Sequence, residues 1–305
     1  NNLIIMRLIF LILLLVTYST SSFCQTKTID ITSFGAKGDG ITINTKNIQA
    51  AIDNAASSGG GKVVIPDGNF LTGTIFLKSG VDLCLEENAT LLGSINPYDY
   101  KGINGKDALI LADKQENISI TGKGTIDGQG RKLILYIDSM FYTGKLEARY
   151  YDSVRKKPNW RPKIIEIDNC KNILISEILL KNSGSWVQNY ALCYKLIIDR
   201  IRIESDAYWN NDGIDISDCR NVRITNCFVN SSDDGICMKS EFTDKLNDSI
   251  YIANCTVRTS ASAVKLGTGS KGGFRNIKIH NIKVYDTFRS AIAIECVDGG
   301  ILENV

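Results

Sequence analysis

The second half of the chain repeats a short pattern in which apolar and polar residues alternate. Five copies, CKNILISEI, CYKLIIDRI, CRNVRITNC, NDSIYIANC and FRNIKIHNI, align on a single column formed by Asn172, Lys195, Asn221, Ser249 and Asn276. The copies therefore follow one another at steps of 23, 26, 28 and 27 residues, and a fainter copy begins at Glu116. Alternation with a period of two residues predicts β-strands.

The length of the repeat indicates how these strands are arranged. Each copy is too short for a unit of two strands and a helix, and no helical periodicity separates the copies. An antiparallel sandwich would need two-residue hairpin turns such as Asn-Gly, which the repeats lack. We therefore predict an all-β fold, a parallel solenoid with several strands in each coil.

Acidic residues begin two of the strands, one coil apart. The segment WNNDGIDIS contains Asp212, and NSSDDGICMKS contains the adjacent pair Asp233 and Asp234, of which Asp233 is 21 residues further on. Equivalent residues of neighbouring coils lie roughly 4.8 Å apart, so we expect the three carboxylates to share one face. Crowded carboxylates raise at least one pKa among them, which supplies a protonated acid beside an ionised base. Hydrolysis of a glycosidic bond with inversion requires that pair of states.

A structural explanation competes with the catalytic one. Asp-Asp-Gly is a common turn sequence, and Asp212 and Asp215 could cap turns or hold calcium. What favours catalysis is the combination of two acidic segments one coil apart in a chain with almost no histidine.

Composition removes several other functions. The 305-residue chain carries 35 Lys and Arg residues against 33 Asp and Glu residues, a formal charge of +2, so it lacks the broad basic field of a nucleic-acid-binding protein. Its one histidine, His280, excludes His-rich zinc sites and most nucleophiles that depend on a histidine base. Carboxylates are the catalysts that remain, and we expect no cofactor and no metal ion.

The N-terminus has the pattern of a secretory signal peptide. Arg7 precedes an apolar run over residues 8–16, and small polar residues follow up to Cys24. The run is too short to span a bilayer, so we predict a leader over residues 1–24, a secreted or periplasmic protein and no stable membrane span. A lipoprotein anchor at Cys24 is the alternative, although bulky Phe23 precedes it.

The rest of the chain, residues 25–305, is expected to form one solenoid domain. The sequence stops at Val305 in mid-coil, without the polar cap that a solenoid needs over its last apolar layer. We therefore expect the natural protein to continue with further C-terminal coils, and we expect a monomer.

The nine cysteines raise the question of disulfides in an exported protein. Setting aside Cys24 leaves eight, and several recur in the matching contexts DNCKN, SDCRN, TNCFV and ANCTV, at Cys170, Cys219, Cys227 and Cys255. Thiols at repeated inward positions can stack as small apolar residues without bonding. We favour that arrangement over a disulfide framework.

Longer stretches of the sequence resemble a known family. FGAKGDGITINTKNIQAAIDNAASSGGGKVVIPDGNF, residues 34–70, resembles the N-terminal segment of polygalacturonases and other right-handed parallel β-helix proteins that act on pectin. NNDGIDIS and SSDDGI resemble the catalytic segments of glycoside hydrolase family 28. The resemblance implies a single-stranded right-handed parallel β-helix and an inverting hydrolase of pectic polysaccharide or oligosaccharide. It also implies that Asp233 is the general acid and that Asp212 and Asp234 position and activate water.

The sequence departs from the family where polygalacturonases grip the sugar acid. Ser262 stands at the place of the usual histidine of Gly-His-Gly, and Ala293 and Glu295 stand at the charged positions of the usual Arg-Ile-Lys. Either other cations bind a galacturonate, or the cleaved residue is a different pectic sugar such as rhamnose. The candidate cations, each of which could instead be a solvated charge at a coil edge, are Lys239, Lys265 and Arg289.

Aromatic residues and one insertion complete the candidate site. Trp209 precedes the Asn-Asn-Asp segment and is expected to stack on a sugar ring, whereas Trp186 is expected to lie in the core. The insertion over residues 135–162 breaks the repeat and could close one end of a groove, which favours exo attack; a surface excursion is the alternative. A pectate-lyase-like enzyme and a non-catalytic carbohydrate-binding solenoid stay open as other functions.

Overall fold

The chain winds into coils whose strands stack in three parallel faces. We describe the fold from a computed structural model, and the structure describes residues 27–206 and 208–305. The predicted signal peptide over residues 1–24 lies outside the described residues. Each strand hydrogen-bonds in parallel to its equivalents in the coils before and after it.

The first face runs the length of the described chain. In order along the solenoid, its strands are β1 (Thr28–Asp30), β3 (Gly61–Ile65), β6 (Val81–Leu85), β9 (Glu116–Gly122), β14 (Lys171–Ser176), β17 (Tyr194–Asp199), β20 (Arg220–Thr225), the first part of β23 (Asn247–Thr259), the first part of β25 (Gly273–Val284) and β27 (Ile301–Glu303).

The second face begins where the first face bends. Its strands are β2 (Asp39–Ile43), β4 (Gly68–Thr72), β7 (Ala89–Gly93), β10 (Thr125–Asp127), β15 (Leu179–Lys181), β18 (Arg202–Ser205), β21 (Phe228–Ser231) and the second parts of β23 and β25. The third face, which carries the candidate site, consists of β5 (Ile75–Phe76), β8 (Ala108–Asp113), β13 (Lys163–Asp168), β16 (Gln188–Ala191), β19 (Ile214–Ser217), β22 (Ile236–Ser240), β24 (Val264–Ser270) and β26 (Ile292–Ile294).

The predicted single-stranded right-handed parallel β-helix is confirmed. The sequence repeat corresponds to one coil, because the register across the first face pairs equivalent residues of successive copies. The apolar members of each copy point inward and form continuous columns, one of which contains Ile173, Leu196, Val222, Ile250 and Ile277, all at most 4% exposed. Burial of these columns is the main favourable contribution to the fold.

Helices lie outside the coils. Helix α1 (Thr45–Ser57) buries one side, with apolar residues three or four positions apart, against strands of the first coils. Helix α2 (Gly130–Tyr142) begins five residues before the insertion over residues 135–162 and continues into it. The insertion also contains the antiparallel pair β11 (Tyr151–Asp152) and β12 (Lys157–Pro158). Among the described residues, no helix is long and apolar enough to cross a membrane.

The insertion is held by aromatic contacts rather than by coil stacking. The rings of Phe141 and Tyr151 stack with centroids 3.8 Å apart, and Tyr150 and Trp160 meet edge to face at 5.1 Å. Trp160 also donates its Nε1–H to Asp107 Oδ2, 2.7 Å away. Asp107 lies immediately before β8. These contacts bring the end of the insertion to the edge of the third face.

Columns of asparagine fix the bends between faces. The repeat column Asn172, Asn221 and Asn276 has φ angles of +54° to +56°, in the left-handed region that asparagine tolerates better than most residues. A second column, Asn226, Asn254 and Asn281, has the same left-handed conformation at the next bend. Asn281 donates to Asn254 Oδ1 over 2.6 Å, and Asn254 donates to Asn226 Oδ1 over 3.4 Å. The side-chain amides thus continue the hydrogen-bonded ladder of the backbone.

All eight cysteines of the described chain are free, as the repeat pattern predicts. Cys170, Cys193, Cys219, Cys227 and Cys255 are buried, and they line the inside of the turns that lead into and out of the first face. Burial raises the pKa of Cys170 to about 11, so its thiol stays protonated and acts as a small apolar residue.

The asparagine column gives a stability prediction. Replacing Asn254, whose φ is +57°, with Ala should lower the free energy of unfolding by about 1–3 kcal/mol, because alanine is strained in this conformation and cannot bond to Asn226 and Asn281. Asn254→Gly is the matched control, since glycine adopts the conformation freely. Denaturant unfolding of both variants should place the glycine variant nearer the wild type; an equal loss would contradict a role for backbone strain.

Candidate active site

Successive coils bring the acidic residues together at the turn before the third face. The backbone N–H of Gly213 donates to Asp234 O, and that of Gly235 donates to Ser262 O, each over 2.9 Å. With the register of β19, β22 and β24, these bonds align Trp186, Asp212, Asp234 and Ser262 in one column across the coils. Asp212 is therefore stacked on Asp234, 22 residues later, and Asp233 lies one position before that column.

The glycines after the two aspartates are required by this close approach. A Cβ atom on Gly213 would lie 2.5 Å from Gly235 O, and one on Gly235 would lie 2.6 Å from Ala263 O. No side chain fits at those distances, so Asp-Gly in the two acidic segments reflects the stacking of coils rather than an isolated turn.

Asp212 is the most perturbed acid of the site. It is 4% exposed, and its pKa is raised to about 8. Burial is the largest cause of this rise, and the negative charge of Asp215 is the second. Lys239 opposes the shift with its ammonium 3.3 Å from Asp212 Oδ2. Asp212 therefore retains a proton at neutral pH, chiefly because it is buried, and the charges of Asp215, Asp233 and Asp234 act in the same direction.

Lys239 and Asp215 form a buried ion pair beneath Asp212. The Lys239 ammonium contacts Asp215 Oδ1, and the Asp215 side chain is fully buried. Burial alone would lower the pKa of Lys239, but the charges of Asp215 and Asp212 raise it well above the usual value. The same ammonium lies 4.2 Å from the centroid of the Trp186 ring, a cation–π contact that orients it.

Two neighbours on the next coil contact the Asp234 carboxyl. Its Oδ1 accepts the backbone N–H of Ser262 over 3.1 Å, and its Oδ2 lies 3.2 Å from the ammonium of Lys265. Lys265 also lies 3.4 Å from Glu295 Oε2, so it bridges two carboxylates. These contacts fix the direction of the Asp234 carboxyl.

Asp233 is the member of the trio that is partly exposed. Its Oδ2 accepts the side-chain amide of Asn210 over 3.1 Å, and its Oδ1 accepts the backbone N–H of Asp234 over 2.9 Å. Its carbonyl oxygen accepts from the hydroxyls of Ser231, over 3.0 Å, and Thr259. The carboxyl is thus fixed in direction while remaining accessible from the groove.

The insertion reaches this trio through Arg161. Its guanidinium donates to Asn210 Oδ1 and to Trp209 O, each over 2.8 Å. The Trp209 ring is 44% exposed, and it carries Arg161 at 4.9 Å and Lys157 at 4.6 Å from its centroid. Arg161, Asn210 and Asp233 form a continuous chain of hydrogen bonds.

A metal ion could in geometric terms be held beside the acids. One atom each of Asp212, Asp234 and Cys237 lie within 4.8 Å of one another. The ammonium groups of Lys239 and Lys265 already lie 3.3 Å and 3.2 Å from oxygens of Asp212 and Asp234, and a bound cation would have to compete with them. The donor set therefore fits two lysine counter-ions better than a divalent metal.

The structure brings most of the predicted site residues together. Asp212, Asp233, Asp234, Lys239 and Lys265 form one cluster. Ser262 is buried, and its side chain accepts from the Ser290 hydroxyl over 3.1 Å, so it contributes its backbone N–H to Asp234. Arg289 is exposed and lies outside this cluster. Its positive charge contributes to lowering the pKa of Glu295.

The core position expected for Trp186 is wrong. Trp186 is partly exposed and stands in the same column as Asp212 and Asp234. The ammonium groups of Lys163 and Lys239 lie 5.1 Å and 4.2 Å from the centroid of its ring. It lines a cavity of about 280 Å³ with Lys106, Lys163, Glu166, Asn189, Ala191, Ser217, Asp218, Glu241 and Phe242. Trp186 lies on the turn before β16, and the register of the coils places it in line with Asp212 and Asp234 rather than in the core.

Sequence reasoning did not identify Asp215 as an ion-pair partner, nor Asn210 and Arg161. Asn210 could have been found from its position two residues before Asp212, in the same polar segment. Arg161 offered no comparable signal, because the insertion has no repeat that could be aligned with the coils.

Comparisons with known proteins agree with the described fold. The chain matches the profile of Glycosyl hydrolases family 28 over residues 56–297, and it belongs to that family. It is 32% identical over 292 residues to a Vitis vinifera protein named "Probable polygalacturonase", covering 87% of this chain and 56% of the relative. It is 26% identical to the exo-poly-alpha-D-galacturonosidase of Dickeya chrysanthemi, covering 87% of this chain and 51% of that one.

A solved structure supports the same placement. The hyperthermoactive exopolygalacturonase of Thermotoga maritima superposes with a TM-score of 0.73 at 26% identity, over 88% of this chain and 68% of that one. The chain spans about half the length of the two curated relatives named above.

The buried ion pair gives a stability prediction. Lys239→Met should lower the free energy of unfolding by about 3–5 kcal/mol, because it leaves Asp215 charged and buried without its partner. The double variant Lys239→Met, Asp215→Asn should recover much of the loss, and Lys245→Met, in an exposed pair with Asp244, should cost about 1 kcal/mol or less. Urea unfolding measures all three; a double variant as unstable as the single one would contradict the pairing.

The pKa of Asp212 predicts how stability depends on pH. In the unfolded chain this carboxyl ionises near pH 4, whereas in the folded chain it keeps its proton up to about pH 8. The unfolded state therefore binds fewer protons between these values, and stability falls as the pH rises through this window.

Asp212→Asn should remove that dependence. We expect the melting temperature of the wild type to fall more steeply than that of the variant between about pH 4 and pH 8. Asp244→Asn, an exposed aspartate, is the control and should run parallel to the wild type. Thermal melts at several pH values measure this difference. Parallel plots of melting temperature against pH for all three proteins would contradict the raised pKa of Asp212.

Proposed function

We propose that the whole protein hydrolyses α-glycosidic bonds of pectic polysaccharide or oligosaccharide with inversion of configuration. The observation that carries the proposal is the column in which Asp212 stacks on Asp234, with atoms of both carboxylates within 4.8 Å, beside the accessible carboxyl of Asp233. Membership of glycosyl hydrolases family 28 supports the same reaction class.

Asp233 is assigned the role of proton donor. It is the partly exposed carboxyl of the trio, so it can reach a glycosidic oxygen in the groove, and Asn210 holds it in place over 3.1 Å.

Asp212 and Asp234 are assigned the positioning and activation of water. Asp234 suits this role because Lys265 and the Ser262 N–H hold its carboxyl in place beside Asp233. Once Asp233 has given its proton to the leaving oxygen, water attacks the opposite face of the sugar, as inversion requires. Lys239 contacts Asp212 and limits the accumulation of negative charge.

Hydrolysis of a rhamnogalacturonan or another pectic sugar is the second candidate. Lys265, the cation nearest in sequence to Ser262, already bridges Asp234 and Glu295, which leaves it less available to a galacturonate carboxylate. The neighbour of Lys265 on β26 is Ala293, which offers no charge. The cleaved sugar is therefore open between an acidic and a neutral residue.

The proposal also includes exo attack on the polysaccharide and export of the protein. The insertion packs against Trp209 and Asn210 at the edge of the site, which supports closure of one end of the groove and exo attack. The predicted signal peptide supports export to a compartment in which the protein would encounter cell-wall polysaccharide. We propose that the protein acts as a monomer in one β-helix domain.

A product assay with an Asp233 variant tests the function. The wild type should release reducing ends from pectic oligosaccharides without forming unsaturated sugars, and proton NMR should show the nascent product with inverted configuration. Asp233→Asn should lower the turnover rate by about 10²- to 10⁴-fold while keeping the melting temperature of the wild type.

The outcomes separate the alternatives. Unsaturated products would indicate a lyase, no products on any pectic substrate would favour a binding solenoid, and retention would require a covalent intermediate. Asp244→Asn is the activity control, because this aspartate is exposed on another part of the chain. Wild-type turnover in Asp233→Asn would remove the assigned acid.

A further inference from the structure

The candidate site has more acids than bases. Asp212, Asp215, Asp233, Asp234 and Glu295 gather around two ammonium groups, those of Lys239 and Lys265. A sugar acid entering this site would meet an excess of negative charge. Its carboxylate would need a cation, because an unpaired charge in a groove that excludes water is costly.

Three lysines on the strands of the third face are already paired. Lys239 contacts Asp212 and Asp215, Lys265 contacts Asp234 and Glu295, and Lys163 lies 2.7 Å from Glu166 Oε2. Binding a further carboxylate would require these groups to break or share an existing ion pair. They serve as internal counter-ions of the third face.

The insertion carries basic groups of a different kind. Among the described residues, neither Lys157 nor Arg161 has a carboxylate oxygen within 4.0 Å. Both stand over the Trp209 ring, with Lys157 Nζ at 4.6 Å and the Arg161 guanidinium carbon at 4.9 Å from its centroid. Two cations beside one half-exposed aromatic ring provide charge and an apolar surface at one place.

This pair of cations is linked to the reacting group. Arg161 donates to Asn210 Oδ1 over 2.8 Å, and Asn210 donates to Asp233 Oδ2 over 3.1 Å. Trp209 precedes Asn210 in the chain, so the ring and the assigned proton donor flank the same asparagine. A sugar ring has an apolar face that stacks on tryptophan, and a uronic acid adds a carboxylate at the ring edge.

We infer that Lys157 and Arg161 bind the carboxylate of a uronic-acid residue of the substrate, whose ring contacts Trp209 beside the scissile bond. The inference rests on the proposed function, and it moves the recognition of the acid from the strands of the third face to the insertion. It explains how the site tolerates Ala293 and Glu295 at the strand positions. Arg289 is the competing cation, but it stands on the Glu295 side, where its charge acts on that carboxyl.

Lys157→Met is the test, because methionine keeps the apolar stem over Trp209 and removes the charge. The probes are trigalacturonate and the same trisaccharide with its carboxylates reduced to alcohols, titrated calorimetrically into the Asp233→Asn background to limit turnover. Lys157→Met should raise the Kd of trigalacturonate about tenfold, which corresponds to the loss of one modest charge contact. It should leave the Kd of the reduced trisaccharide unchanged.

Lys156→Met is the matched control, since Lys156 is the exposed neighbour of Lys157, and it should change neither Kd by more than about twofold. Added salt should weaken trigalacturonate binding more in the parent than in Lys157→Met. Equal effects of the two lysine variants, or an equal loss for both trisaccharides, would overturn the inference.

Activity assays separate this inference from the proposed function. If the protein with Asp233 intact hydrolyses polygalacturonate and Lys157→Met leaves KM unchanged, the inference fails and the function stands. If it cleaves only neutral pectic oligosaccharides and does not bind trigalacturonate, the inference fails and the rhamnose-type hydrolase takes its place. If it cleaves nothing but binds trigalacturonate through Lys157, the proposed hydrolysis fails and the inference stands.

Discussion

The stacking of successive coils in one register is the constraint on which the rest of this structure depends. Parallel hydrogen bonds hold equivalent residues roughly 4.8 Å apart, so every position of the repeat becomes a column. Inward columns of isoleucine, leucine and valine form the core, and columns of asparagine in the left-handed conformation form the bends. The outward column of Trp186, Asp212, Asp234 and Ser262 becomes the candidate site by the same rule.

Stacking carboxylates in a column creates an electrostatic cost that the neighbouring columns offset. Lys239 stands against Asp212 and Asp215, and Lys265 stands against Asp234 and Glu295. A buried charge without a partner would be strongly destabilising, so these lysines are needed by the fold before any substrate arrives. The same lysines are then less free to bind an acidic sugar, and this links the stability of the site to its specificity.

The insertion supplies what a regular solenoid does not provide. Repeated coils present flat columns of side chains, whereas helix α2 and the aromatic cluster around Trp160 form an irregular wall of side chains at the edge of the third face. Through Arg161 this wall contacts Trp209 and the amide that holds Asp233. An irregular segment thus determines the environment of the most accessible acid of the family 28 site.

The sequence by itself determined the β-helix, the inward cysteines and the grouping of Asp212, Asp233 and Asp234, because a period of one coil converts spacing along the chain into distance in space. Only the tertiary structure decided that Asp212 stacks on Asp234 rather than on Asp233, since turn lengths vary and one residue of slip changes the column. It also decided that Trp186 faces outward, that Lys239 pairs with Asp215, and that Arg161 reaches Asn210. Such contacts join residues of different coils or of the insertion, and no local pattern encodes which side chains will meet there.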